Sequence, residues 1–369
     1  MLTNGLGEML NELAPNAHRF IDLFSGSGAV GTFVAERHGV QVISNDLQCY
    51  SKVLAASIIE RTSALDGQMI WKEWDSAATS KISQGGLPPP IPSTPEVVSE
   101  HRSASGKCKG KPVTRAYGGH YFSMHQAIEI DAFRSSISRD PQTASLQLAA
   151  LILAASQCVA APGHTAQPFQ PSSTGIPYIA EAWRRSVRER VRSALEDISN
   201  RYAVCAGRAI QQDANLVASE CMEGDLVFID PPYSGVHYSR FYHVLETIAE
   251  GKCGAVSGKG RYPAQSKRPK SDYSMRTRSL SALDDLFGKL ARRGASAIVT
   301  FPDRECSNGM SGNDVRELAK GKFAIREEII ETRFSSMGGR SDGLNAQAGR
   351  NARVPTNEIV FHLQSATWS

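Results

Sequence analysis

Apolar and polar positions along this chain follow two different rhythms. Phe20-Ile21-Asp22-Leu23-Phe24 is a short apolar run that breaks at Ser25-Gly26-Ser27-Gly28, which predicts a buried strand entering a tight turn. A helix is expected over 29–37, a second strand over 40–44 ending at Asn45-Asp46, and another helix over 48–59. Strand–helix–strand–helix order implies parallel strands joined by right-handed crossovers. The same rhythm returns later, with strands expected at 209–212, 225–229 and 295–301 and helices at 238–250 and 281–291. A terminal strand pair is expected at 323–332 and 358–363, joined by a loop rich in Gly, Asn and Arg.

Between these stretches the pattern changes. Residues 75–117 are rich in Ser, Pro, Gly and Lys around Leu87-Pro88-Pro89-Pro90-Ile91-Pro92, and read as a long, partly mobile loop that cannot be core. Helical periodicity follows at 125–137, 145–160 and 179–198. The expectation is an α/β domain built from 1–74 and 202–369, with a mostly parallel seven-stranded sheet whose last strand is reversed. A mainly helical insertion occupies 75–201.

Composition narrows the class. The chain has 369 residues, 41% of them hydrophobic and 21% charged, as in a soluble globular protein with a sizeable core. Its longest apolar run, 146–159, contains Ser156 and Gln157 and falls short of the roughly 20 residues a membrane span needs. No signal-peptide pattern opens the sequence, so a cytoplasmic location and no membrane are expected. Seven cysteines without zinc-site spacing point to a reducing compartment and no metal.

The net charge of +4 is mild, but its distribution is uneven. Residues 252–278 carry eight Lys or Arg against one acid, Asp272. Arg184, Arg185, Arg188, Arg190 and Arg192 form a second cluster, and 102–115 a third. Each alone fits a solvated face; together they favour a nucleic-acid partner.

Two motifs carry the chemistry. Gly26-Ser27-Gly28-Ala29-Val30-Gly31 fits a glycine turn that brings backbone close to a ligand at a helix N-terminus. Asp46, about 20 residues on, stands where an acid holds ribose hydroxyls. Asp22 beneath the turn repels a pyrophosphate but suits the ammonium of a methionine moiety, which favours S-adenosylmethionine over NAD. The second motif is Asp225-Leu-Val-Phe-Ile-Asp230-Pro231-Pro232-Tyr233, a strand ended by two prolines at the ligand-binding edge of the sheet. An amine conjugated to a base ring is a poor nucleophile and needs acceptors aimed at its hydrogens. The Asp230 carboxylate and Pro231 carbonyl supply two, in the geometry that Pro232 stiffens. Tyr233 offers a face on which an extruded base stacks, since a base inside a duplex is out of reach.

These motifs resemble the Dam-like N6-adenine DNA methyltransferases, on Phe20 to Gly28, Asn45-Asp46, Asp213, Asp225 to Tyr233, Tyr238 to Ile248 and Gly260 to Ser274. The resemblance implies a Rossmann-like, S-adenosylmethionine-dependent fold acting on adenine N6 in double-stranded DNA. Asp213 would contact the cofactor's adenine, with Asp22, Phe24, Gly26, Gly28 and Asp46 completing the cofactor set. It also places Tyr238 and Arg240 beside the substrate. Arg261, Lys267, Arg268 and Lys270 would grip DNA with the insertion, which reads the target. A restriction or defence-system partner fits such enzymes, but nothing in the sequence signals one. One departure stands out: residues 1–19 hold no Lys-Trp-x-Gly-Gly-Lys element, so 4–13 closes the cofactor pocket in another form or the pocket is more open.

Other readings compete. Cytosine N4 methylation uses the same amine chemistry, though such enzymes more often carry Ser in place of Asp230. Cytosine C5 methylation needs a nucleophilic cysteine, typically after a proline, and none of the seven follows one. RNA guanine methyltransferases share the Asp-Pro-Pro-aromatic ending but usually lack so large an insertion. An NAD enzyme leaves Asp-Pro-Pro-Tyr unexplained, and a silent or partner-dependent DNA-binding subunit sits badly with the intact motifs. Trp71, Trp74 and Trp183 read equally well as core or stacking groups, and His164 and Glu246 have no settled role.

Overall fold

The computed structural model describes residues 2–3, 5–82, 91–92, 94–335 and 353–365. The chain opens with α1 (Gly5–Leu13), β1 (Arg19–Asp22), α2 (Ala29–Ala35), β2 (Gln41–Asp46) and α3 (Cys49–Ile59). Helices then dominate: α4 (Gly67–Thr79), α5 (Pro95–Gly106), α6 (Pro112–Tyr117), α7 (Met124–Ser135), α8 (Pro141–Cys158), α9 (Ile176–Trp183) and α10 (Val187–Ser199). The alternation resumes with β3 (Arg208–Gln211), α11 (Ala214–Ala218), β4 (Leu226–Ile229) and α12 (His243–Glu250). A small hairpin of β5 (Val256–Ser257) and β6 (Tyr262–Pro263) precedes α13 (Ser279–Arg293), β7 (Ser296–Pro302), α14 (Gly312–Ala319), β8 (Ala324–Ser335) and β9 (Arg353–Gln364).

Seven strands form one mixed sheet in the order β3-β2-β1-β4-β7-β9-β8. Strands β3, β2, β1, β4 and β7 run parallel, and β9 is antiparallel to both of its neighbours. The last strand is thus the reversed one, as its sequence position predicted. Strand β4 is buried at all four residues and β7 at all seven, because helices cover both faces and leave no polar side for alternation. Neighbouring residues of one strand serve different cores: Ile21 and Val227 pack with Leu286 and Phe287, while Phe20 and Phe228 pack with Leu10 and Val42. Successive strands run outward on one side of β1 and, from β4 onward, on the other. The β1/β4 junction is therefore a topological switch point, where a crevice opens beyond the strands' carboxyl ends.

The helical layer is not walled off from the sheet. Trp74, Tyr117, Phe133, Leu151 and Leu195 share one core with Tyr50 of α3 and Leu245 and Ile248 of α12. The expected boundary at 74/75 falls within α4.

Several expectations need correction. The 75–117 stretch contains α5 and α6 and buries Val98, Val113 and Tyr117. Pro95 and Pro112 sit in the first turn of each helix, where a missing N–H costs nothing, so proline here starts structure and does not prevent it. Residues 83–90 of its proline-rich centre, and the 336–352 loop between the last strands, lie outside the described residues. The expected 179–198 helix breaks at Arg184–Ser186, and Ser186 caps α10 through the Glu189 N–H. The tryptophans are packing groups. Trp74 donates Nε1–H to the Phe133 carbonyl at 2.9 Å, Trp71 stacks on Phe133, and Trp183 lies 4.7 Å from the His101 ring. Helix α1 buries Leu6, Met9 and Leu10 in the core that also holds Ile330 and Val360, and contributes no residue to the crevice lining. Among the described residues, no helix is long and apolar enough to cross a membrane.

Candidate active site

A cavity of about 300 Å³ lies at the switch point, lined by Phe24, Gly26, Asp46, Asp213, Asp230, Pro231, Pro232, Tyr233 and Tyr238 among others. Nine residues singled out from the sequence thus meet in one crevice, although 214 positions separate Phe24 from Tyr238. Asp22, Gly28 and Arg240 do not line it.

The wall formed by β1 and β2 is held by main-chain hydrogen bonds. Gly26 and Gly28 adopt φ of 52° and 77°, the left-handed region that glycine enters without a Cβ clash, and Gly28 donates its N–H to Ser25 at 2.7 Å. Asp46 accepts from the Gly26 N–H on Oδ2 and from the Gln48 N–H on Oδ1, both at 2.9 Å. Burial pushes its carboxyl up, and those backbone bonds pull the other way. Asp22 is wholly buried beneath the turn, with Oδ1 lacking a hydrogen-bond partner. Burial raises it to about 8; backbone N–H groups at Phe24 and Gly31 oppose this, while Asp230 and Asp46 add to it.

Asn45 and Tyr273, to which sequence reasoning assigned no role, complete this wall with Asp213. Asn45 donates to the Leu23 carbonyl at 3.0 Å and accepts from the Gln212 N–H at 3.0 Å, locking the ends of β1 and β3 to β2. Tyr273 packs edge-on against Phe24 at 4.9 Å and donates its hydroxyl to Asn215 at 2.6 Å. Asp213 caps α11 by accepting from the Asn215 N–H at 2.9 Å.

The opposite wall is the Asp-Pro-Pro-Tyr turn at the end of β4. Asn308, from the β7–α14 connection, latches it by donating to the carbonyls of Pro232 (2.9 Å) and Tyr273 (3.0 Å). Burial lifts the Asp230 carboxyl to about 6. The Thr300 hydroxyl draws it partly down, although that hydroxyl makes no hydrogen bond of good geometry. Glu358 of β9 is raised to about 7, first by burial and then by Asp230. Tyr233 is pushed up to about 12 by burial, with Asp230 and Glu358 adding to the effect.

The helix expected over 238–250 is a 3₁₀ turn at Tyr238–Arg240 followed by α12. Glu246 of α12 reaches across to α3, accepting from the N–H of Cys49 at 2.9 Å and of Tyr50 at 3.0 Å. It fills a gap, because the N-cap residue Gln48 makes no side-chain cap. Burial raises the Glu246 carboxyl to about 7. His164 packs its ring on Phe241 at 4.7 Å.

The basic residues divide into two sets. In the 184–192 cluster, Arg185 pairs with Glu181 (2.8 Å), Arg188 with Asp75 (3.1 Å) and Arg192 with Glu196 (2.9 Å). Arg261 stands at φ 54° and donates Nε–H to the Ala116 carbonyl at 2.8 Å, which ties the hairpin to α6. By contrast, Lys267 and Lys270 are exposed, and the guanidiniums of Arg240 and Arg268 lie 4.8 and 5.5 Å from the centre of the Tyr262 ring.

Relatives of this chain carry names that bear on this geometry. It is 27% identical over 260 residues to the type II methyltransferase M.FokI of Planomicrobium okeanokoites, covering 67% of this chain and 35% of that protein. It is 26% identical over 270 residues to the modification methylase StsI of Streptococcus sanguinis, covering 72% and 37% respectively. The chain therefore spans little more than a third of the length of these two relatives. Against type II methyltransferase M.NlaIII of Neisseria lactamica it is 25% identical over 244 residues, 62% of this chain and 60% of that one. The model of one family matches residues 4–287, a span that holds the glycine turn, Asp46, Asp213 and the Asp-Pro-Pro-Tyr turn. On that match the chain belongs to the D12 class N6 adenine-specific DNA methyltransferases.

Proposed function

We propose that this chain is a site-specific catalytic unit that transfers a methyl group to N6 of an adenine flipped out of duplex DNA. One juxtaposition carries the reading: two acceptors for an amine, the Asp230 carboxylate and the Pro231 carbonyl, share a cavity with Phe24, Gly26, Asp46 and Asp213. S-adenosylmethionine fits that second group and, when bound, supplies an electrophilic methyl on its sulfonium. Asp46 keeps lone pairs for ribose hydroxyls beyond its two backbone bonds. Phe24 and Tyr273 give the cofactor an aromatic wall, and Asp213 lies within reach of its adenine amine. Asp22 and Gly28 act from beneath the turn: Gly28 by shaping it, and Asp22 as a buried carboxyl, raised to about 8 in the absence of a cation, whose ionisation a sulfonium and ammonium above would favour.

On the target side, Tyr233 stacks the extruded adenine, and Asp230 and Pro231 accept its two N6 hydrogens. The lone pair then points at the methyl. S-adenosylmethionine held by the Asp46 wall would supply the methyl for direct in-line transfer, with no covalent enzyme intermediate, and Asp230 would take the surplus N6 proton. Tyr238 borders the base, while Arg240, outside the cavity with its guanidinium near Tyr262, would act on the DNA around it.

The fold is read as a Rossmann-like methyltransferase domain from 1–74 and 202–369, acting on DNA in the cytoplasm. The 75–201 helices and the 251–278 segment engage DNA, with Arg261, Lys267, Arg268 and Lys270 at or near phosphates. The relatives' names, modification methylase and type II methyltransferase, support a restriction-modification setting. Incubation with S-adenosylmethionine labelled in the methyl group and unmethylated duplex DNA tests the assignment. Label entering DNA is expected; a protein that binds the cofactor yet labels only RNA, or nothing, would overturn it.

A further inference from the structure

A second cavity, of about 460 Å³, opens beside the first and shares Gln48, Ser239 and Pro269 with it. Its other walls bring Lys252, Lys267 and Arg268 together with Glu246 and Glu250. The acids do not neutralise the bases. Both Glu246 oxygens are taken by the N–H groups of Cys49 and Tyr50, and Glu250 is exposed. Among the described residues, the side chains of Lys252 and Lys267 enter no ion pair. Arg268 is the most telling group. Its Nε–H is buried and has no hydrogen-bond partner, and the Tyr262 ring that steadies the guanidinium at 5.5 Å satisfies none of its donors. A buried charged donor left without an acceptor is costly, so an anion accepting from Arg268 would relieve that cost.

We propose that this second cavity is a phosphodiester subsite that holds the DNA backbone next to the flipped adenosine; the proposal rests on the DNA-methyltransferase reading above. The two cavities share Gln48, Ser239 and Pro269, so the sugar of a base seated against Tyr233 would have a path across them into the second. Arginine suits the anion, since its planar fork matches two phosphate oxygens, and the lysines add point charge. The subsite would act on the extruded nucleotide specifically, by rewarding the flipped state and not the stacked one.

The test uses a duplex with the sequence that the protein methylates, carrying 2-aminopurine at the target position to report flipping by fluorescence. Each phosphate flanking the target is replaced in turn by an uncharged methylphosphonate. In the intact protein, one such replacement should weaken flipping about tenfold, the scale of a lost hydrogen bond to a charged group. In R268Q or K267Q the same replacement should add no further loss, and each variant should lower the salt slope of DNA binding by about 1. R268K should recover part of the flipping, and cofactor affinity in R268Q should match the intact protein, which separates loss of the subsite from misfolding. Losses that multiply, or unchanged salt slopes, would overturn the subsite. Failure of the intact protein to methylate the unmodified duplex would instead count against the enzyme assignment itself.

Discussion

The two walls of the cavity at the switch point are built on opposite terms. On the wall proposed to hold the cofactor, Asp46 gives one oxygen to the Gly26 N–H and the other to the Gln48 N–H, and Asn45 bridges two further strand ends. On the wall proposed to face the target, no main-chain N–H bonds the Asp230 carboxylate among the described residues, and the neighbouring Thr300 hydroxyl draws its carboxyl down without a hydrogen bond of good geometry. The first wall holds its shape through the satisfied groups of Asp46 and Asn45, although Asp22 Oδ1 beneath it has no partner. The second keeps acceptor capacity open where a substrate amine would bring donors, and burial raises its carboxyl with no backbone N–H to oppose it. A wall that must only bind can be complete by itself, whereas a wall that must accept hydrogens in the reaction is left incomplete.

Substitutions on the two walls should therefore fail in different ways. The largest effect is expected from Asp230→Ala, which removes a fixed acceptor. Methyl transfer should fall by about 10³-fold or more, with cofactor affinity measured by calorimetry nearly unchanged. Asp46→Ala should reverse that profile, weakening cofactor binding by roughly 10- to 100-fold through lost charged hydrogen bonds and a loosened Gly26 turn, and recovering rate at saturating cofactor. Equal losses of affinity in both variants would erase the distinction between the walls.

A pH profile sharpens it further. Asp230 can take up the surplus N6 proton only when ionised, and its carboxyl, lifted by burial to about 6, is protonated below that value. Single-turnover rate should be flat above it and fall about tenfold per pH unit below it. A profile insensitive to pH down to 4.5 would mean that Asp230 does not titrate in the catalytic step. The smallest effect is expected from Arg185→Gln with Arg188→Gln. Both arginines are committed to Glu181 and Asp75, so DNA affinity and its salt slope should hardly change.

The same contrast marks what was legible in the sequence. The strand-and-turn at 20–28 and the one at 225–233 could be read because each compresses a buried strand, a breaker and a chemical group into nine adjacent residues. Asn308, Tyr273 and Glu246 could not be assigned, because each acts on a segment far away in the chain, and no local pattern encodes which segments meet. Helices α5 and α6 were hidden by composition, since proline reads as a breaker until its place in the first turn is known. The 184–192 cluster held its own answer. Glu181 and Glu196 stand four residues from Arg185 and Arg192, the spacing at which helix side chains pair.

The central claim is that Asp230 and Pro231 prepare an adenine amine for a methyl held on the Asp46 wall. Nucleoside mass spectrometry tests it most directly, on unmethylated DNA incubated with S-adenosylmethionine and either the intact protein or Asp230→Ala. The account predicts N6-methyladenine with the intact protein and none above background with the variant. N4-methylcytosine in its place would contradict the target base, and N6-methyladenine produced equally by the variant would contradict the mechanism.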